Sequence, residues 1–202
     1  AVQESIFTRR GVDRVMKYAF ELASKRQNKL TSATKSNGII HTMPYWDERF
    51  KAMGEKFPKV STDQFHIDIL AAHFVQKPDE FDVVVASNLF GDILSDLGPA
   101  VVGGMGIAPG ANINPEKEFP SMFEPVHGSA PDIAGKKIAN PIACIWTASM
   151  MLDHLGEKEG SKLIMSAIEE IISNGTVLTK DLGGNSNTEE VTGAIIEKIK
   201  KP

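Results

Sequence analysis

The segment Phe81–Ser87, FDVVVAS, constrains the fold more than any other stretch of the chain. It is a continuous apolar run with three successive valines, the pattern of a strand buried in a parallel sheet. The chain leaves it through Asn88–Gly106, NLFGDILSDLGPAVVGGMG. The apolar residues there predict a helix from about Leu89 to Val102. Gly103–Gly110 then punctuates the chain and is the candidate crossover between two domains.

Other segments alternate in the same way. Val12, Val15, Met16, Ala19, Phe20, Leu22 and Ala23 form an apolar stripe that predicts a helix over Gly11–Gln27. A short strand is expected over Leu30–Ala33. A helix follows from Thr42, with Pro44 in its first turn, ending near Pro58. Lys59–Pro78 reads as a short strand, a loop and a helix. The second half differs in texture. Ser121–Pro141 is loop-like, with Pro, Gly and Asn spread through it. Helices are expected over Pro141–Leu155 and over Glu157–Ser173, the latter closed by Asn174-Gly175. Ser186 and Glu189 have the spacing of a capping box opening a last helix through the terminal lysines. Strands alternating with helices indicate an α/β fold, and there are no internal repeats.

Composition excludes several classes. The chain has 202 residues, enough to bury a sizeable core as one domain or two. Its net charge of −4 and scattered Lys and Arg argue against nucleic-acid binding. No apolar run reaches the roughly 18 residues of a membrane span. The start, AVQESIFTRRG, lacks the charged and apolar regions of a signal peptide, and it lacks an initiator Met, as a mature N-terminus or a fragment would. The single cysteine, Cys144, cannot form a disulfide within the chain and is expected to pack as a small buried hydrophobe. A reducing, cytoplasmic setting fits.

Asp92 and Asp96 interrupt the apolar helix at i, i+4, which puts both carboxylates on one face, about 5–6 Å apart at Cβ. Like charges at that distance repel. One reading is that both face solvent or favour the helix N-terminal dipole. The other is that a hard divalent cation such as Mg²⁺ or Mn²⁺ lies between them, just past the end of a buried strand. Asp68, in FHIDILAAHF, is a further acid at the edge of an apolar helix, where a lone carboxylate is costly unless paired. Lys35, in ATKSNG, is either a surface turn lysine or, beside metal and substrate, a general base. The segment EPVHGSAPDIAGKKIANP surrounds a histidine with small residues that let backbone amides approach a ligand. Its aspartate can accept from ribose hydroxyls and would repel a 2′-phosphate. It is not the G-x-G-x-x-G fingerprint.

Together these motifs resemble the metal-dependent, β-decarboxylating dehydrogenases of 2-hydroxy acids. NLFGDILSDLGPAVVGGMG resembles the signature segment of the isocitrate/isopropylmalate dehydrogenase family, and FEPVHGSAPDIAGKKIANP resembles its cofactor loop. TKSNG, DILAAHF and DLGGNSNTEE fall in the expected order. TSATKSNGIIHTMPYWDERF is similar to the tartrate/D-malate branch. The resemblance implies an isopropylmalate-dehydrogenase-like two-domain α/β fold, of which this chain is the C-terminal part. Residues 1–103 would be the second half of a small, dimer-forming domain. Residues 104–202 would be the C-terminal segment of a large, NAD-binding domain. Asp92 and Asp96 would bind Mg²⁺ or Mn²⁺ from one subunit of a homodimer. Asp68 and Lys35 would come from the other, Lys35 as the proton-transfer residue. Asn37 would lie at the substrate–nicotinamide end. Glu124, His127, Gly128, Ser129, Ala130, Asp132, Ile133 and Asn140 would bind NAD, the Asp132-Ile133 pair matching an NAD preference. The substrate would be a small 2-hydroxy acid. The family's carboxylate-gripping arginines and catalytic tyrosine precede the matched region, and Tyr18 and Tyr45 lie elsewhere in the pattern.

Overall fold

The computed structural model describes residues 1–200. The chain divides into two compact units, residues 1–98 and residues 99–202. The division falls inside a helix, ahead of the expected Gly103–Gly110 crossover, and beside Pro99, which has no amide hydrogen for the helical ladder.

The first unit is a three-stranded parallel sheet with helices packed on it. β1 (Lys29–Thr34) lies between β2 (Ser61–His66) and β3 (Val83–Val85). Leu30 aligns with Val83, and Thr34 with His66. The valine run is thus a parallel strand, with Val83 and Val85 both buried. α1 (Arg9–Lys25) turns Val12, Met16, Ala19, Phe20 and Ala23 inward, while Val15 stays 39% exposed at the margin of its stripe. Phe20 stacks on Phe57 with ring centroids 5.2 Å apart and tilts against Phe50 at 5.5 Å. α2 (Thr42–Gly54) stops before the expected Pro58, because the chain folds back so that Phe57 can reach Phe20.

Two polar contacts join these layers. Trp46 Nε1 donates to Ser32 Oγ at 2.9 Å, satisfying a buried indole. Arg49 grips Asp13 through Nε at 2.7 Å and Nη2 at 3.0 Å, a two-pronged pair between α2 and α1. That guanidinium holds the Asp13 carboxyl below its ordinary range, and Asp13 in turn raises the arginine.

β2 runs straight into α3 (Ile67–Gln76) without the expected loop. His66 is extended at φ −64°, ψ 144°, and helical geometry starts at the next residue. α4 (Asn88–Val102) follows β3 as predicted, burying Phe90 and Leu94.

The second unit is mainly helical. α5 (Ile142–Leu155), α6 (Lys158–Asn174) and α7 (Thr188–Lys200) enclose Ile142, Ile168, Ile171, Val191 and Ile195. α6 ends at Gly175, whose φ of +66° is the left-handed closure foreseen from Asn174-Gly175. The capping box of α7 lies one residue later than expected. Asn187 Oδ1 accepts from the amides of Glu189 and Glu190, and Glu190 Oε2 accepts from the Asn187 amide. Asn187 thus displaces Ser186, and Glu190 displaces Glu189. Lys201, the last lysine of that expected helix, lies outside the described residues. Cys144 is exposed, contrary to expectation, because the inner face of α5 is filled by Ile142, Ala143 and Thr147. The loop-like segment is mostly irregular, and its β5 (Met122–Phe123) pairs antiparallel with the preceding β4 (Ala111–Asn112). No helix among the described residues is long and apolar enough to cross a membrane.

Candidate active site

In the first unit the chemistry gathers at the C-terminal ends of the parallel strands, where open α/β sheets present ligands. Register explains why two sequence-distant residues meet there. Thr34 and His66 are aligned partners, so the residues just after β1 and β2 emerge side by side. Lys35 Nζ donates to Asp68 Oδ1 at 2.7 Å. The lysine side chain is 30% exposed and the aspartate 66%. The ammonium hydrogen bond holds the Asp68 carboxyl below its ordinary range. Asn37 sits at the exposed tip of the turn after Lys35, whose carbonyl accepts from the amides of Gly38 and Ile39.

Asp92 and Asp96 are both exposed on α4, opposite Phe90 and Leu94. Neither carboxylate has an ion pair or hydrogen bond to a side chain or amide among the described residues. Ser95 Oγ donates only to the Asp92 carbonyl, at 2.9 Å. Two free carboxylates one helical turn apart form a donor set suited to a hard divalent cation. Within one chain the described residues contain no group of three acids, histidines or cysteines that could hold a metal. Asp68 is therefore not brought to Asp92 and Asp96 by its own chain.

The second unit contains a cavity of about 950 Å³. Six of the eight predicted cofactor-loop residues line it: His127, Gly128, Ser129, Ala130, Ile133 and Asn140. Glu124 and Asp132 do not. The loop is pinned despite having almost no regular structure. His127 Nδ1 lies 2.9 Å from the Gly128 carbonyl. A carbonyl only accepts, so Nδ1 is the donor in this contact. Ala130 and Lys137 adopt left-handed φ of 43° and 56°, a strained geometry for residues with a side chain. The opening of α7 holds the far end. Thr188 Oγ1 donates to the Ala139 carbonyl at 2.5 Å, and the Thr188 amide to the Lys137 carbonyl at 2.9 Å. Lys137 pairs with Glu189 at 2.8 Å.

Sequence reasoning missed part of the lining. Gly106, Lys137, Lys180, Asp181, Thr188 and Glu189 also line the cavity. Asp181 accepts from Asn140 Nδ2 at 2.9 Å across 41 residues of chain. The segment DLGGNSNTEE marked this stretch, but nothing local singles out its first aspartate.

The isocitrate/isopropylmalate dehydrogenase family profile matches residues 1–196. The chain is 61% identical to the D-malate dehydrogenase [decarboxylating] of Escherichia coli (strain K12), over 98% of this chain and 56% of that protein. It is 60% identical to the tartrate dehydrogenase/decarboxylase of Pseudomonas putida, with the same coverage of 98% and 56%. The isocitrate dehydrogenase crystal structure from Methylococcus capsulatus superposes with a TM-score of 0.92 at 38% identity, over 98% of this chain and 58% of that one. The chain thus spans little more than half the length of these relatives. The match over residues 1–196 and the identity to these relatives show that the chain belongs to the isocitrate/isopropylmalate dehydrogenase family.

Proposed function

We propose that this chain carries the metal-binding, proton-transfer and cofactor-loop portion of an NAD-linked decarboxylating dehydrogenase acting on tartrate or D-malate. The 60–61% identity to a tartrate and a D-malate enzyme supports that branch. The observation that carries the reading is the Lys35–Asp68 pair at the strand ends, taken with the two unpartnered carboxylates of α4.

Asp92 and Asp96 would hold Mg²⁺ or Mn²⁺, with Asp68 completing the site from a second copy in a homodimer. The ion would polarise the hydroxyl and carboxylate oxygens of the 2-hydroxy acid. Lys35 Nζ is the proton carrier of this set, and its pairing with Asp68 fixes where the ammonium points. Asn37, on the same turn, orients the substrate–nicotinamide end. The cavity of the second unit takes the adenosine end, with His127 in its lining and the small residues letting backbone approach. The products would be a decarboxylated oxo acid, CO₂ and NADH. The setting is cytoplasmic, without nucleic acid or membrane.

The groups that grip the substrate carboxylates are assigned, by resemblance, to the part of the relatives this chain does not span. Mixing the purified chain with D-malate, NAD⁺ and Mn²⁺ should therefore give little or no NADH. Steady turnover by the chain alone would refute that division of labour. A second reading, 3-isopropylmalate as substrate, rests on the same family. It would be favoured if a longer protein carrying this chain turned over 3-isopropylmalate faster than D-malate.

A further inference from the structure

We propose that Asp181 is a positioning residue for the cofactor, acting through the side-chain amide of Asn140. The inference rests on the reading of this cavity as the adenosine site. Asn140 has a fixed orientation that chemistry alone determines. Its Oδ1 accepts from the Ile142 amide at 3.0 Å, and an amide N–H only donates. Its Nδ2 donates to Asp181 Oδ2 at 2.9 Å, and a carboxylate only accepts. Flipping the amide would break both contacts. One Nδ2 hydrogen is left without a partner among the described residues, and Asn140 lines the cavity. That hydrogen is the group offered to an acceptor atom of the bound adenosine.

Asp181 is itself held. It lies in the 3₁₀ turn Lys180–Leu182, closed by Gly183 at φ +81°. The contact also depends on a residue from a third element. A Cβ on Gly106 would stand 2.6 Å from Asp181 Oδ2 and 2.8 Å from Asn140 Cβ, closer than real atoms approach. Only glycine leaves room for the pair to close. Three segments distant in sequence thus converge to aim one amide hydrogen. The carboxylate makes the contact charge-assisted, which strengthens it relative to a neutral pair.

The test is calorimetric titration of the purified chain with NAD⁺, AMP and nicotinamide mononucleotide, with thermal melts to establish that each variant folds. Asp181→Leu is expected to weaken NAD⁺ and AMP by about tenfold and to leave nicotinamide mononucleotide unchanged. Asp181→Asn, whose oxygen can still accept, is expected to stay within about threefold of the parent. Gly106→Ala should reproduce the loss from the other side, and it decides the matter if Asp181→Leu does not fold. Unchanged NAD⁺ affinity in folded Asp181→Leu, or a loss that Asp181→Asn fails to rescue, would overturn the positioning role while leaving the cofactor reading intact. Failure of the parent chain to bind NAD⁺ and AMP would remove the cofactor reading and this inference with it.

Discussion

The two units set out their candidate chemistry differently. In the first, every site residue rides on or beside a regular element. Lys35 follows β1, Asp68 sits in the first turn of α3, and Asp92 and Asp96 lie one turn apart on α4. In the second, the residues lie on an irregular loop whose shape comes from contacts elsewhere: Thr188 and Glu189 at the start of α7, and Asp181 in a 3₁₀ turn. The acidic face lies on a regular helix but leaves its carboxylates unpartnered. The cavity is an open recess lined by residues of its own unit, and it depends on long-range pins. Rigid elements place ligands cheaply and invite completion by another surface, whereas a pinned loop shapes a recess that the same unit can close.

The largest effects should come from the two cores, and they should separate. Phe20 is fully buried against Phe50 and Phe57. Phe20→Ala should cost about 3–5 kcal/mol. Ile195→Ala, in the second core, should cost about 2–5 kcal/mol. Residue-resolved hydrogen exchange should show the first loss in the strands and α1, and the second in α5 to α7. Loss spread evenly over both units in either variant would erase the distinction.

Acid should probe the first unit next. Asp13 is held below its ordinary 3.8 by the Arg49 hydrogen bond. A carboxyl depressed in the folded state stabilises fully above its unfolded value and loses that contribution as pH falls through the folded value. The Asp13–Arg49 contribution should thus be intact above about pH 4 and fade below it. Asp13→Asn should flatten that part of the stability–pH curve measured by urea unfolding, and an identical acid limb in both proteins would contradict the assignment.

The smallest effect concerns the loop pins. Asn187→Ala removes the cap of α7 and should cost about 1 kcal/mol, whereas Ser186→Ala should cost only a few tenths. The reverse order would return the cap to Ser186. Because Thr188 and Glu189 follow directly, Asn187→Ala should also loosen Lys137–Asn140, read as faster amide exchange there.

Elements were legible where a pattern was local. The valine run, the α1 stripe and the Asn174-Gly175 closure each follow from neighbours within a few residues. The capping box slipped by one residue because Ser186 and Asn187 both suit a cap and Glu189 and Glu190 both suit its partner, so only backbone geometry chooses. Cys144 was misjudged because side-chain burial depends on which face of α5 the neighbouring helices cover. Lys35 and Asp68 were both singled out, yet their pairing depends on the register of β1 against β2, which no local pattern states. Asp181 was missed for a similar reason, since its significance lies in Asn140 and Gly106 rather than in its own neighbours.

The central claim is that the carboxylates of α4 form half of a metal site completed by Asp68 of a second copy. The most direct test is Mn²⁺ binding, followed by paramagnetic resonance, across chain concentrations spanning dimer dissociation. Mn²⁺ affinity should rise with dimer population. Asp92→Asn and Asp68→Asn should each abolish binding, and a mixture of those two variants should regain one site in some of its dimers. Mn²⁺ affinity that is independent of dimerisation, or unchanged in Asp92→Asn, would contradict it.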